Sequence, residues 1–393
     1  MSVTQAVGLA ESLERLGTET AFSVLARAKQ LEAAGRDVIH LEIGEPDFRT
    51  PRHICDAAYE AMLAGQTGYC PAAGIPVFRA AAAEYLGESR GVEIDPENVL
   101  VANGAKLFLF FTILAACNPG DEVVYPDPGF PIYESAIRWA GAVPVPLPLL
   151  EERDFAFDLD ELAARLGPRT RLVILNSPQN PTGGALDAAE LAEAARLILQ
   201  TPAWVLSDEV YSRMVYEGEF ASIASVPGLL ERTVVLDGLS KTYAMTGWRC
   251  GFAAVPTPLV EPLVRFFVNA TSCVPPFVQL AGVAALRGSQ EEPRAMVEEF
   301  RARRDLVVEG LNALPGISCR QPGGAFYAFP NVSGVPLPAE ELASRLLEEA
   351  GVALLAGTAF GAVGRENLRL SYANSRENLD RALQRIGEFI ARL

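Results

Sequence analysis

Short apolar runs that end in polar loops recur along the chain and predict β-strands. Each run is rich in Val, Ile or Leu, and most are followed by Gly, Pro, Asn or Asp, which are typical of turns. The runs with this pattern are 38–41, 98–102, 122–125, 172–175, 204–207 and 233–237. Because helical patterns stand between several of them, the alternation predicts an α/β fold with a large, mainly parallel sheet.

Apolar positions spaced three and four residues apart predict the helices. The clearest such segments are 22–31, 107–117, 188–199 and 293–314. Segment 107–117 carries no charge and is too short to span a membrane, so we interpret it as a buried helix.

The texture of the chain changes after residue 289 and predicts two domains. A long charged helix and an α+β-like tail follow this point. We expect residues 49–289 to form a large α/β domain and residues 290–393 a smaller α+β domain, which the N-terminal segment 1–48 joins. A chain of 393 residues is long enough to build both cores.

Composition narrows the possible functions. The net charge of −16 argues against a nucleic-acid partner, and no uncharged apolar run is long enough for a membrane span. The six cysteines are scattered without a C-x-x-C pair, and the N-terminus lacks a secretory signal, so we expect a cytoplasmic protein. Two histidines are too few for a His-rich metal site and argue against a His-based triad, and we predict no metal.

Candidate chemistry centres on Lys241, which follows the strand 233–237. A lysine shielded from water loses its proton more easily and becomes a usable nucleophile. Arg249 stands eight positions further on, and a guanidinium is suited to binding a phosphate. A lysine that traps an aldehyde and an arginine that anchors a phosphate are what a pyridoxal phosphate site needs. The alternative is a surface Lys and Arg that flank a loop.

Other strand ends carry further candidates. The turn 103–106 opens a helix, so its free N–H groups form a site for a phosphate. Asn180, Asp208 and Tyr211 follow two other predicted strands and should meet Lys241 at one edge of the sheet. Neither the G-x-G-x-x-G nor the P-loop pattern occurs at this turn, which argues against a dinucleotide or NTP site.

Two loop residues leave alternatives open. Phe130 follows the strand 122–125 and is either a core aromatic or a flat face for stacking on a ring. Gly44 either lets the backbone approach a ligand closely or belongs to a plain turn, and without further context we favour the turn.

The chain resembles the class I/II aminotransferases of the fold-type I pyridoxal phosphate enzymes. The motifs that carry the resemblance run in order through nearly the whole chain: 43–47 (IGEPD), 180–183 (NPTG), 240–241 (SK) and 368–371 (LRLS). The resemblance implies the fold-type I architecture, pyridoxal 5'-phosphate as the cofactor and ping-pong transamination. The chain is similar to bacterial aspartate aminotransferases. Glutamate with 2-oxoglutarate is expected as one of the two pairs of amino acid and 2-oxo acid.

The resemblance assigns three catalytic residues. Lys241 would form the Schiff base with the cofactor and move the substrate proton. Asp208 would pair with the pyridine nitrogen and keep it protonated, since a carboxylate favours the cationic form. Tyr211, together with Asn180, would hydrogen-bond the phenolic oxygen of the ring.

The resemblance also implies the remaining contacts of the cofactor. The N–H groups of Ala105 and Lys106, with Arg249, would hold the phosphate, and Phe130 would stack on the ring. Tyr69 is similar to a tyrosine that reaches the phosphate of the neighbouring subunit, which implies a homodimer with shared active sites.

Substrate contacts follow from the same resemblance. Arg369 would bind the substrate α-carboxylate as a bidentate fork, helped by Gly44 and Asn180. Lys106 would select an acidic amino acid such as aspartate through the distal carboxylate, or would only add positive charge near the phosphate. The two alternatives have equal weight.

Two departures from the family leave the subfamily open. Phe130 stands where many relatives have tryptophan, and Gly238 stands where some have a serine that contacts the phosphate. The competing functions are a lyase, decarboxylase or oxidase of the same fold, an alanine or aromatic aminotransferase, a non-catalytic ligand sensor, and an NAD-dependent dehydrogenase.

Overall fold

Strands form within all six of the predicted apolar runs and helices form over the four predicted helical segments, together with further elements that the pattern does not indicate. The structure is a computed structural model that describes residues 8–393. Its strands are β1 (Ile39–His40), β2 (Val99–Ala102), β3 (Glu122–Asp127), β4 (Val143–Leu150), β5 (Ala156–Phe157), β6 (Thr170–Asn176), β7 (Trp204–Asp208), β8 (Thr233–Gly238), β9 (Gly251–Ala254), β10 (Tyr327–Ala328), β11 (Val352–Ala353), β12 (Leu355–Ala356) and β13 (Leu368–Ser371). Its α-helices are α1 (Thr20–Ala33), α2 (Arg52–Leu63), α3 (Pro76–Arg90), α4 (Lys106–Ala116), α5 (Ile132–Trp139), α6 (Leu159–Arg165), α7 (Ala188–Ile198), α8 (Leu239–Thr242), α9 (Thr257–Ala270), α10 (Pro276–Arg287), α11 (Glu291–Asn312), α12 (Ala339–Arg345) and α13 (Arg376–Ile390).

One large sheet organises the fold. Eight strands pair in the order β2-β9-β8-β7-β6-β3-β4-β5. The five strands β8, β7, β6, β3 and β4, which are neighbours in this order, are parallel to one another. Strand β9 runs antiparallel to both β2 and β8, and β5 runs antiparallel to β4. The predicted α/β fold with a mainly parallel sheet is confirmed. Because β6, β7 and β8 run in the same direction, their carboxyl ends lie along one edge of the sheet.

Alternate residues of the central strands pack on opposite faces of this sheet. In β2, Leu100 packs in a cluster with α4 and α9, whereas Val101 packs in a cluster with α2, α3 and α10. In β8, Val234 and Val235 divide between the same two clusters. Helices therefore cover both faces, which explains why these strands are apolar at nearly every position.

Strand β4 is one that the apolar pattern does not indicate. It carries Pro144, Pro146 and Pro148, which have no N–H to donate and are usually confined to exposed strand edges. The N–H of Val143 donates to the carbonyl oxygen of Asp121 on the β3 side. Because backbone N–H groups alternate between the two sides of a strand, the positions where the prolines lack an N–H point away from β3. There β5 pairs only with the end of β4, and most of that side needs no donor.

Helix α4 occupies the uncharged segment that we interpreted as a buried helix. Phe108 and Ile113 are fully buried in it, and the interpretation is confirmed. Within residues 8–393, no helix is both long and apolar enough to cross a membrane. In the same range, no group of three or more His, Cys, Asp or Glu side chains is placed to hold a metal ion.

A second core packs the strand β1 with elements from the end of the chain. β1 pairs in parallel with β11, and β13 lies between β10 and β12, antiparallel to both. Ile39, Phe300 and Leu370 belong to one apolar cluster of this core. The division into segments 1–48, 49–289 and 290–393 remains our proposal, and the first seven residues lie outside the described range.

Candidate active site

The candidate active site is a cavity at the edge of the central sheet where β6, β7 and β8 end. Their last residues, Asn176, Asp208 and Gly238, line a cavity of about 490 Å³. Ten of the residues expected at the site also line it: Gly44, Ala105, Lys106, Phe130, Asn180, Asp208, Tyr211, Lys241, Arg249 and Arg369. The shared strand direction therefore brings together side chains that are far apart in the sequence.

Lys241 lies on the short helix α8, directly after β8. Its Nζ donates a hydrogen bond to the carbonyl oxygen of Gly44 at 2.5 Å. Burial lowers the pKa of Lys241 to about 8, and the guanidinium groups of Arg369 and Arg249 act in the same direction against the carboxylate of Glu45. The amine is therefore poised to be partly neutral near physiological pH, as a nucleophile or base requires.

Gly44 is required by close packing rather than by a turn alone. A Cβ atom at this position would collide with the hydroxyl of Tyr327. The absence of a side chain lets the backbone carbonyl reach Lys241 while Tyr327 lies against it.

Asp208 ends β7 and is buried. The hydroxyl of Tyr133 donates to its Oδ2 at 2.6 Å, while its Oδ1 has no hydrogen-bond partner in the described part of the chain. Burial raises the pKa of Asp208 to about 6, and the hydrogen bond from Tyr133 opposes this rise. A buried carboxylate with one free oxygen is suited to receive a cationic N–H.

Tyr211 is held by a second tyrosine. Its hydroxyl shares a hydrogen bond of 2.8 Å with the hydroxyl of Tyr327, a residue of β10. Burial raises the pKa of both hydroxyls, so both remain protonated donors at neutral pH. Asn180 lies in the same wall, and its N–H donates to Oδ1 of Asn176 at 3.1 Å.

The turn before α4 and the guanidinium of Arg249 form one cradle. Gly104 has a φ of +96°, and a Cβ there would collide with the Arg249 guanidinium. A Cβ at Gly251 would collide with the backbone nitrogen of Ala105. The two glycines therefore allow the helix N-terminus and the arginine to meet, which is a setting for a phosphate.

Arg369 is a buried residue of β13. Its guanidinium donates to the carbonyl oxygen of Glu42 and lies 4.8 Å from the ring centroid of Tyr327. Its Nε has no hydrogen-bond partner among residues 8–393. Burial lowers the pKa of Arg369 from its ordinary value. A fixed fork with a free N–H is suited to a carboxylate.

Comparison with known proteins decides the family. The family described as aminotransferase class I and II matches residues 36–386. This chain belongs to that family. It is therefore an aminotransferase, an enzyme that moves an amino group between an amino acid and a 2-oxo acid. The resemblance in the sequence motifs is confirmed.

Relatives match over nearly their whole length. The aspartate aminotransferase of Geobacillus stearothermophilus is 38% identical over 97% of this chain and 98% of its own. The aspartate/prephenate aminotransferase of Cereibacter sphaeroides is 40% identical over 98% of this chain and 99% of its own. The crystal structure of the aspartate aminotransferase from Rhizobium meliloti aligns with a TM-score of 0.94 at 37% identity, over 99% of this chain and 100% of that one.

Lys106 makes a contact in this aminotransferase that the sequence did not indicate. Its side chain forms an ion pair with Glu19, and its Nζ lies 5.4 Å from the ring centroid of Phe130. Phe130 in turn meets Tyr133 edge-on at 5.8 Å. Both Glu19 and Lys106 line the cavity.

Tyr69 lies outside the cavity, on the loop before α3. Its side chain is 92% exposed in the single chain. Within one chain it does not line the cavity, and its expected contact with the cofactor of a neighbouring subunit remains a prediction.

The cavity residues that sequence reasoning missed include Tyr133, Tyr327 and Glu19. Tyr327 follows the Gly323-Gly324 pair, which is a signal of close backbone approach. The sequence does not indicate which of the aromatic residues in 326–329 lines the cavity, and in the structure it is Tyr327. Tyr133 and Glu19 stand in helical or charged surroundings that give no signal of their own.

Proposed function

We propose that this aminotransferase uses pyridoxal 5'-phosphate to move the amino group of an acidic amino acid, aspartate first, to a 2-oxo acid such as 2-oxoglutarate. The observation that carries the proposal is one cavity that joins an amine, a buried carboxylate and a buried guanidinium: Lys241, Asp208 and Arg369. The relatives named aspartate aminotransferase support the choice of aspartate.

The residues of the cavity fit this cofactor at both of its ends. The free Oδ1 of Asp208 is a partner for a protonated pyridine nitrogen. The N-terminus of α4 and Arg249, which meet at Gly104, would hold the phosphate. When bound between them, the cofactor supplies an electron sink for the charge that develops at the substrate Cα.

The polar side chains each have a separate task in the reaction. The Asp208 carboxylate holds a proton on the pyridine nitrogen, because a buried anion next to that atom favours its cationic form. The Tyr211 hydroxyl, oriented by Tyr327, donates toward the ring oxygen. The Lys241 amine accepts the proton that leaves the substrate Cα and returns it as a general acid, in a ping-pong cycle.

Arg369 positions the substrate. Its guanidinium can bind the α-carboxylate with two parallel hydrogen bonds, and the aromatic ring of Tyr327 fixes the plane of the fork. The carbonyl of Gly44 and the side chain of Asn180 flank the same space. We expect a substrate bound in this way to present its Cα proton to the Lys241 amine.

The choice of an acidic substrate depends on Lys106. Lys106→Ala should lower kcat/KM for aspartate more than for alanine, because only aspartate has a distal carboxylate for the Lys106 ammonium to bind. The difference should be roughly tenfold, since a partly exposed charge pair contributes less binding energy than a buried one. Lys29→Ala is the matched control, since Lys29 lies on the exposed side of α1 and pairs with Glu32. An equal loss for both amino acids would assign Lys106 to the phosphate and remove the preference for aspartate.

We also propose a homodimer in which Tyr69 completes the site of the other subunit. A mixture of the Lys241→Ala and Tyr69→Phe variants, refolded together, would contain hybrid dimers with one intact site. The mixture should then exceed the mean activity of its parents and reach about one quarter of the wild-type rate even when both parents are inactive. Activity at that mean would place Tyr69 in its own subunit's site or outside any site. Tyr59→Phe, another exposed tyrosine, is the control.

The cytoplasm remains our proposal for the location of the enzyme. All six cysteines are free thiols in the structure, which is consistent with a reducing compartment.

A further inference from the structure

Glu19 places a carboxylate inside the cavity from the start of α1. It stands at the N-cap position of this helix, yet its side chain makes no capping hydrogen bond and instead pairs with Lys106. The Glu19 side chain is 16% exposed and that of Lys106 is 45% exposed. Glutamate is not among the residues favoured at an N-cap, so the ion pair in the cavity, rather than the start of the helix, indicates a role for this side chain.

The charge of Glu19 acts on the groups that bind the substrate. Burial lowers the pKa of Lys241 and of Arg369, and the Glu19 carboxylate opposes both shifts. The negative charge of Glu19 therefore favours the charged forms of the Lys241 amine and the Arg369 guanidinium.

Apolar side chains also line the cavity that holds the ion pair. Phe22, Ile43 and Leu109 line the same cavity, and the ring of Phe130 lies against the Lys106 ammonium. An unpaired ammonium beside these side chains would disfavour a neutral substrate side chain, whereas the Glu19–Lys106 pair carries no net charge.

We propose that Glu19 is a specificity-determining residue that exchanges with the substrate for Lys106. With a neutral amino acid bound, Glu19 stays paired with Lys106. With an acidic amino acid bound, the distal carboxylate of the substrate takes Lys106 and Glu19 turns away from it. The inference rests on the proposed use of acidic substrates and adds a mechanism by which one cavity accepts acidic and neutral side chains.

The exchange has a measurable cost for acidic substrates. A Lys106 that is engaged by Glu19 is available to the substrate only in the fraction of molecules where the pair is open. For a partly exposed ion pair worth about 0.2–1 kcal/mol, this reduces the affinity for a distal carboxylate by roughly 2- to 6-fold. Removing the competing carboxylate should restore that factor.

The test compares Glu19→Gln with Glu14→Gln, which removes the same charge from an exposed residue of the preceding segment. Steady-state kcat/KM is measured for aspartate and for alanine, and inhibition constants are measured for succinate and propionate. In Glu19→Gln, the aspartate-to-alanine ratio should rise about 2- to 6-fold, and succinate should bind more tightly relative to propionate by a similar factor. In Glu14→Gln, both ratios should equal those of the wild type.

The outcomes separate this inference from the proposed function. Unchanged ratios in Glu19→Gln, with aspartate turned over by the wild type, overturn the exchange and leave the proposed function intact. Lower ratios also overturn it, since they would mean that Glu19 holds Lys106 in place for the substrate. A wild type that is inert to aspartate overturns the proposed substrate, and the exchange then survives only if Glu19→Gln gains aspartate turnover.

Discussion

The titration of Lys241 is a direct consequence of the cavity that encloses it. Burial lowers the pKa of this amine from 10.5 to about 8. Only the neutral amine attacks an aldehyde, so the rate at which apoenzyme captures pyridoxal phosphate should rise with pH and level off above pH 8. At pH 7 about one amine in ten is neutral, against about one in three thousand for an ordinary lysine, a difference of roughly 300-fold.

Stopped-flow mixing of apoenzyme with pyridoxal phosphate between pH 6 and 10 measures this rate from the absorbance of the captured cofactor. A simple alkylamine, measured in parallel, corrects for the ionisation of the cofactor itself. Glu45→Gln should move the midpoint below pH 8, because the Glu45 carboxylate stabilises the ammonium form. Glu60→Gln, on the exposed side of α2, should leave the midpoint in place. A corrected rate that still climbs tenfold per pH unit above pH 8.5 would refute the desolvation of Lys241.

Two further predictions concern the two ends of the cofactor site. Asp208→Asn should lower kcat at least about a hundredfold, because it removes the charge that stabilises the protonated ring. Asp208→Glu keeps the charge and should keep part of the activity. A normal kcat for Asp208→Asn would exclude this role. Gly104→Ala should weaken cofactor binding about tenfold in equilibrium dialysis, since the added Cβ displaces Arg249. Gly120→Ala is the control, because Gly120 shares the positive φ but its Cβ meets no other atom, and this variant should bind the cofactor normally. Equal affinities for the two variants would contradict the cradle.

Much of the site could be predicted from strand ends alone. Asp208 and Lys241 each follow an apolar run, and parallel strands bring such ends together whatever the length of chain between them. The strand β4 was missed because its three prolines argue against a strand, and only the position of its neighbour shows that their side needs no donor.

The contacts that the sequence could not predict join residues far apart in the chain. The hydrogen bond between Tyr211 and Tyr327 spans 116 residues, and the ion pair between Glu19 and Lys106 spans 87. No local periodicity or turn signal encodes such a pair, because it depends on how the second core sits against the sheet edge. The expected contact of Lys106 with a substrate therefore took no account of Glu19.

The central claim is that the Lys241 amine carries out the proton transfer of an amino-group exchange. The most direct measurement is the absorbance of the cofactor-loaded enzyme after addition of L-aspartate and then of 2-oxoglutarate. The yellow colour of the wild type and of the Lys29→Ala control should fade with aspartate and return with 2-oxoglutarate. Lys241→Ala should retain cofactor and show neither change. A Lys241→Ala variant that cycles at the wild-type rate would contradict the claim.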